Sequence, residues 1–273
     1  MIAYVLAMRE EAQPLISHFA LQRCKTTTLF PVFYNAQTWL TICGVGKANA
    51  AAAVTELFHV VRHKRDAVWL NVGIAGHADL PIGTLRSAHS VLDGASRQRW
   101  YPPQVLMRRV ASGALTSVDA PETAYPDDSL YDMESAGFYS AALRCSTAEV
   151  VQCLKIVSDN REHGTDRLSP QGITELVAAQ VKIIAEICAE LREATYSLRA
   201  DQEIDPGLSE LLGKHRFSVT QQRQLMRLAQ RLAARAPQQP LLDDELASAR
   251  SSREVLRALE QRLDTLPVFP HAG

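Results

Sequence analysis

AVWLNVG, residues 67–73, decides the fold. It opens as a near-continuous apolar run of strand length and closes on glycine. A run that is apolar on both sides of the pleat suits a strand covered on both faces, as in a parallel or mixed sheet between helices. Working outward, the same pattern recurs. Residues 2–8 and 38–44 (TWLTICG) read as strands, and an Ala-rich helix follows over 47–62. Further on, 133–143 reads as a helix, 150–157 as a strand and 170–196 as a long amphipathic helix. Pro170 fits the first turn of that helix, with Ser169 as its N-cap. Strands alternating with helices predict an α/β fold.

After residue 196 the character changes. Residues 197–207 carry acids, a Pro and a Gly and read as a linker. Helical patterns then cover 219–236 and 243–266, separated by Pro237 and Pro240, with no strand pattern. The expected organisation is an α/β domain over 1–196 and a helical C-terminal extension over 208–273. An extension of that size is too small to carry a large core alone, and is expected to pack on the main domain or a partner. Within it, Arg223, Arg227, Arg231 and Arg235 recur every four residues, on the helix face opposite Leu225, Leu228 and Leu232. A solvated face, paired with Asp243, Asp244 and Glu245, is expected. That face is also the one place where nucleic acid would find a basic patch, though it lacks interleaved aromatics.

Composition narrows the classes. The 273 residues are 47% hydrophobic and 22% charged, with 29 basic and 30 acidic side chains and a formal net charge of -1. That excludes a wholly disordered chain and a global pull toward nucleic acid or anionic membrane. No apolar run approaches the roughly 20 residues a bilayer span needs. The opening residues lack a basic leader and read as a strand. Five scattered cysteines without a CxxC pair are expected to be reduced thiols in a cytoplasmic protein, with Cys145 and Cys153 in the core. Several familiar motifs fail. GVGKAN (44–49) lacks the third glycine of a dinucleotide fingerprint, and Gly46-Lys47 lacks the Walker A context. No GxSxG, HExxH or Cys/His cluster occurs, so no metal is expected.

What remains is a set of segments that put polar or Gly residues at strand ends and helix starts. They are Ala7–Glu11, Gly44–Lys47, Asn71–Gly76, Asp132–Ser135 and Ser158–Asn160. In α/β sheets ligands collect beyond the carboxyl ends of strands. Glycines at 44 and 46 would let backbone approach a ligand at a helix N-terminus, or simply make a tight turn.

Five pieces, AMREEA (7–12), CGVGKANAAAAVT (43–55), LNVGIAGHADLPIGTL (70–85), DMESAGFYSAA (132–142) and LKIVSDN (154–160), resemble in order and spacing the nucleoside phosphorylase and nucleosidase superfamily. The nearest resemblance is to methylthioadenosine/S-adenosylhomocysteine nucleosidases. It implies a central mixed sheet, partly barrel-like, flanked by helices, and a homodimer with the active site near its interface. It implies that Glu11, with Glu10 the alternative, activates a water. Glu134 would accept from the ribose hydroxyls with Met133 on the sugar, and Asp159, beside Ser158, would protonate the purine. Ala75 and Gly76, with Gly46, would lie near the ribose and nucleophile. Residues 115–118 (LTSV), Leu115 and Thr116 among them, are the expected base-binding segment, with Phe138, Trp100 and Tyr101 as stacking candidates. His77 is expected on a turn surface. No cofactor is implied.

The chemistry suits these residue types. Breaking an N-glycosidic bond builds positive charge on the ribose and negative charge on the leaving base. Carboxylates near the sugar offset the first and an acid at the base offsets the second. The family often carries a hydroxyl residue where Ile74 stands. Its loss argues against phosphorolysis, which needs several anion ligands, although Arg9 and Arg86 remain candidates for phosphate. A hydrolase is therefore the leading reading, with phosphate as co-substrate only if the protein is a phosphorylase. A nucleoside-binding protein without turnover, its tail engaging a partner, is the reading from another class.

Overall fold

The computed structural model describes residues 1–25, 28–61, 67–200, 206–236 and 238–266. The described strands are β1 (Ile2–Leu6), β2 (Gln22–Arg23), β3 (Val32–Tyr34), β4 (Thr38–Ile42), β5 (Val68–Gly76), β6 (Leu85–Asp93), β7 (Arg99–Trp100), β8 (Ser112–Ser117), β9 (Ser129–Asp132) and β10 (Val151–Asp159). The α-helices are α1 (Arg9–His18), α2 (Lys47–Val60), α3 (Ser135–Ala142), α4 (Pro170–Ala200), α5 (Pro206–Lys214), α6 (Val219–Arg235), α7 (Asp244–Ser248) and α8 (Ser252–Thr265). The chain divides into two compact units, Met1–Tyr196 and Ser197–Gly273.

In the first unit, β10, β6, β8, β9 and β5 follow one another, and β5 pairs again with β10. That closes a five-stranded barrel. From β5 the sheet continues through β1, β4, β3 and β2, so the sheet is part barrel and part open. It is mixed: β1 runs parallel to β4 and β5, and β5 parallel to β10, whereas β10–β6 and β5–β9 are antiparallel. The architecture is therefore α/β with helices on a mixed, partly barrel-like sheet.

The period of two along β1 builds both faces. Ala3 and Val5 join Ala50, Val54 and Leu57 of α2 and Phe138 of α3 in one apolar cluster. Tyr4 and Leu6 join Leu15 of α1 and Val177, Ile184 and Leu191 of α4 in another. Trp69 of the opening stretch is wholly buried between such layers, as its doubly covered strand requires. Cys145 and Cys153 are buried.

Several boundaries differ from expectation. Four strands, β6 to β9, occupy residues 85–132, where the sequence pattern had assigned none. β6 reads LRSAHSVLD, with no strict alternation of apolar and polar residues, and Ser87 and Ser90 are buried within the barrel wall. The segment expected as a linker is shorter than 197–207. Helix α4 continues to Ala200 and α5 starts at Pro206, and residues 201–205 lie outside the described ones. The tail helix expected over 243–266 is two helices, α7 and α8, broken at Ala249–Ser251, where Ser251 caps α8 by accepting from Glu254 N.

The second unit has an apolar cluster of its own. Leu208 and Leu211 of α5, Leu225, Leu228 and Leu232 of α6, Leu246 of α7, and Val255, Leu259 and Leu263 of α8 are buried together. Arg223, Arg227 and Arg231 are exposed, opposite the three leucines. Arg235 is half-buried and donates to Leu263 O at 3.0 Å. Asp243 does not pair with that face. It caps α7 and pairs with Arg262 at 2.9 Å.

One glycine locks α3 onto α2. A Cβ on Gly137 would lie 1.9 Å from the Lys47 carbonyl oxygen, closer than any side-chain rotation can relieve. This contact sets the α2 N-terminus beside the α3 N-terminus. Gly137→Ala is therefore expected to lower unfolding free energy by about 3 kcal/mol or more, since backbone on both sides must move. Urea denaturation checks it; a loss below about 1 kcal/mol would mean the two helices are not in this contact.

Candidate active site

A cavity of about 300 Å³ opens where the strand ends converge. It is lined by the end of β5 (Ile74, Ala75, Gly76), the end of β9 with the turn after it (Tyr131 to Glu134), and the end of β10 (Ser158, Asp159). Met8 and Glu11 close one side, Val118, Pro121 and Glu122 another.

Glu11 is the third residue of α1, and its side chain turns back on the chain entering the helix. Oε2 accepts from Ala7 N and Met8 N, both at 3.0 Å, and Oε1 accepts from Ile74 N at 2.9 Å. A Glu at this position commonly reaches back to the N-cap amide. Here it also crosses to β5. A carboxylate offers about four acceptor sites, so three amides leave one, on Oε1, for a further donor. Burial raises its pKa, with Lys155 and the three amides opposing. Glu10, the neighbouring possibility, is only half-buried and is not among the lining residues.

Glu134 is the N-cap of α3, and its Oε1 accepts from Gly46 N at 2.8 Å. Gly46 has φ 111° and Gly44 φ 79°, so the bend before α2 needs glycine at both places. The Gly46 amide is thus spent on Glu134. Gly46 does not line the cavity, which corrects the expectation of direct ligand contact; it acts by holding Glu134. Burial, then the Asp132 carboxylate, pushes the Glu134 pKa up to about 7. The buried Cys43 thiol is pushed up to about 12, chiefly by burial and then by Glu134 and Glu11, so it stays protonated.

Under these carboxylates lies Lys155, 1% exposed, on the all-buried strand β10. Its ammonium is 2.8 Å from Asp132 Oδ2. Asp132 also accepts from Ser135 N at 3.0 Å and lies 2.5 Å from both Ser117 Oγ and Ser135 Oγ. Asp132, Glu134 and Glu11 together hold the Lys155 pKa up against its burial, so it remains a cation. A Cβ at Gly73 would come within 2.7 Å of Glu11 Oε1 and 3.4 Å of Lys155 Nζ, so the two side chains meet over that glycine.

Asp159 stands opposite. The β5–β10 register slips at Ser158, a bulge that sets Asp159 beside Gly76. Its Oδ1 lies 2.5 Å from Ser158 Oγ, and its Oδ2 accepts from the Tyr125 hydroxyl. A Cβ at Gly76 would meet Asp159 Oδ2 at 2.5 Å, so only glycine fits there.

The structure thus brings Glu11, Ala75, Gly76, Met133, Glu134, Ser158 and Asp159 to one cavity. Of the expected base-binding segment 115–118 it brings only Val118 there. Leu115 and Phe138 are fully buried in an apolar core cluster, and Thr116 is buried in β8. The rest of that wall comes from the segment just after β8, through Pro121 and Glu122. Trp100 packs on Tyr139, and Tyr101 is exposed. His77 is buried, not on a surface. Its Nδ1 accepts from Asp79 N and Leu80 N at 3.1 Å, and Nε2 faces Asp128 at 3.1 Å, so it ties a turn. Arg9 and Arg86 are not lining residues. Sequence reasoning missed Lys155, Tyr125 and Glu122. Of these only Lys155 carried a signal, as a lone cation inside an apolar strand.

No family model and no curated protein matches the sequence. Solved structures do. A 5'-methylthioadenosine nucleosidase from Arabidopsis thaliana is 17% identical, covers 70% of this chain and 95% of its own, and has a TM-score of 0.60. A mutant of the Helicobacter pylori 5'-methylthioadenosine/S-adenosylhomocysteine nucleosidase, solved with 5'-methylthioadenosine in its active site, is 14% identical over 69% and 98% at 0.57. A futalosine hydrolase mutant from H. pylori is 15% identical over 69% and 98% at 0.53. The chain has the nucleoside phosphorylase/nucleosidase fold.

The raised Glu134 pKa has a stability consequence. The folded protein holds a proton near pH 7 that the unfolded chain releases near its ordinary value of 4.5. The stabilisation from this group is therefore complete below about pH 4.5 and lost as pH rises through 7. Above pH 7 a buried charge is carried at a cost that Gln removes while keeping the Gly46 bond. Glu134→Gln is expected to be more stable than wild type at pH 8 by about 1–3 kcal/mol, the two converging toward pH 5. Thermal melts across pH check it; an equal difference at both pH values would remove burial of the charge as the cause.

Proposed function

We propose that the protein hydrolyses the N-glycosidic bond of a purine nucleoside or related nucleoside metabolite. One observation carries this reading: Glu11, Glu134 and Asp159 face one cavity, and no Arg, Lys or His is among the described residues that line it. An oxocarbenium-like ribose is stabilised by such a wall, whereas a phosphate nucleophile or a 5'-phosphate would be repelled. The co-substrate is therefore water and the substrate is an uncharged nucleoside.

In this reading Glu11 takes the proton of the attacking water through its one free acceptor site. Its raised pKa makes it a better base than an exposed carboxylate. Lys155, under Glu11 and Glu134, limits their mutual repulsion. Glu134 in its ionised form accepts from the ribose hydroxyls, and Met133 packs on the sugar. Asp159 hands a proton to the base nitrogen as the C1'–N bond breaks. Acid and base help of this kind is worth roughly 10²–10⁴-fold per group. The apolar residues Met8, Val45, Val118, Pro121 and Leu168 on the same wall keep bulk water from the ribose.

The test is a nucleoside panel with and without phosphate, followed by free base. Base release independent of phosphate is expected, and Asp159→Asn should slow it by at least about 100-fold. Base only with phosphate would establish a phosphorylase. No base under either condition would exclude catalysis on the panel.

A further inference from the structure

Asp159 has a second partner that its strand does not supply. Tyr125 lies between β8 and β9, 34 residues earlier in the chain, and is 2% exposed. Its hydroxyl donates to Asp159 Oδ2, and its ring edge lies against Gly76, where a Cβ would come within 2.8 Å of Cε1. Its backbone is left-handed, with φ 46°. For a bulky side chain that conformation is an outlier, and it persists only where the surroundings over-determine it. They do so here. Arg161 Nη2 donates to Tyr125 O at 2.9 Å while Nη1 pairs with Asp79 at 3.0 Å. Burial and the neighbouring Asp159 raise the phenol's pKa, so it remains a donor. A tyrosine that served only packing would need neither the strained backbone nor a carboxylate at its tip.

We propose that Tyr125 is a positioning residue that acts through Asp159 on the leaving base. The inference rests on the hydrolase reading above. As the glycosidic C–N bond breaks, its electron pair goes to the base. The Asp159 O–H proton forms the new N–H bond, and Asp159 is left as a carboxylate. Tyr125 keeps its own proton throughout. Its O–H fixes the carboxyl orientation and strengthens its bond to Oδ2 as negative charge arrives there, as a charge-assisted bond does. Ser158 does the same at Oδ1.

The test compares leaving groups. Tyr125→Phe and wild type are assayed on the purine nucleoside and on 4-nitrophenyl β-D-ribofuranoside, whose nitrophenolate departs without a proton. Tyr125→Phe is expected to lose roughly 10–100-fold in kcat on the purine nucleoside with KM little changed. On the nitrophenyl riboside it should stay within about 3-fold of wild type. Equal losses on both substrates, a loss confined to KM, or an unchanged purine rate would overturn the inference while the hydrolase reading stands. Wild type that releases neither base nor nitrophenolate would overturn the reading and the inference with it. Should Tyr125→Phe not fold, 3-fluorotyrosine at position 125 keeps the shape with a stronger donor. It should raise the purine rate relative to the nitrophenyl rate, and an unchanged ratio would overturn the inference.

Discussion

The buried ion pair between Lys155 and Asp132 is the constraint on which the site depends. Two charges that are each almost wholly buried cost several kcal/mol apiece in desolvation, which attraction recovers only with good geometry and further hydrogen bonds. Asp132 has those bonds, from Ser135 N and the hydroxyls of Ser117 and Ser135. Each donor sits at the end or start of an element, so β8, β9, α3 and β10 must all arrive together for the pair to be tolerable. Replacing it by apolar residues of similar size would often cost a protein little. What such a replacement would lose here is the cation beneath Glu11 and Glu134. The pair is thus better understood as a foundation for two more carboxylates than as a source of stability.

Those carboxylates are held by backbone, not by side chains. Glu11 takes three amides and Glu134 one. Amides near a strand end and at helix starts have fixed directions and cost no side-chain entropy when a transition state forms. Burial alone would drive both groups neutral. The amides and Lys155 draw them back toward ionisation, and the balance leaves Glu134 near 7. A group poised there is ionised enough to accept from hydroxyls and basic enough to bind them well. The fold is less stable for it at alkaline pH, a common trade at functional sites.

Much of this was legible in the sequence, for a physical reason. Apolar runs such as AVWLNVG report burial on both faces, and Gly or acidic residues directly after them report strand ends where a ligand can sit. Glu11, Gly76, Glu134 and Asp159 all have that local signature. The expected segment 115–118 meets the wall only at Val118, because residues 115–117 at the end of β8 are all buried and the chain turns to the cavity just beyond them. The four strands between residues 85 and 132 hid because a barrel wall buries small polar residues such as Ser87 and Ser90, which carry no hydrophobic period. Gly46 stands out in the sequence by its place before a helix, but its amide serves a side chain 88 residues away.

Tyr125 marks where local reading stops. Nothing in APETAYPDD distinguishes this tyrosine from a surface one, and its neighbours Ala124 and Pro126 are exposed. Its role is set by partners far off in sequence: Asp159 at its hydroxyl, Gly76 under its ring and Arg161 at its carbonyl. The same segment is anchored at both ends. Lys47, at the start of α2, bonds Asp119 at 2.8 Å and Asp93 at 2.6 Å, and His77 meets Asp128. The Asp119 and Asp128 links are exposed on their carboxylate side and so worth little singly. Together they bracket the stretch that carries Val118, Pro121, Glu122 and Tyr125. A segment fixed at its ends by exposed charges and at its middle by one buried phenol owes its position mostly to the phenol. The wall of the cavity and the orientation of Asp159 therefore depend on the same hydrogen bond.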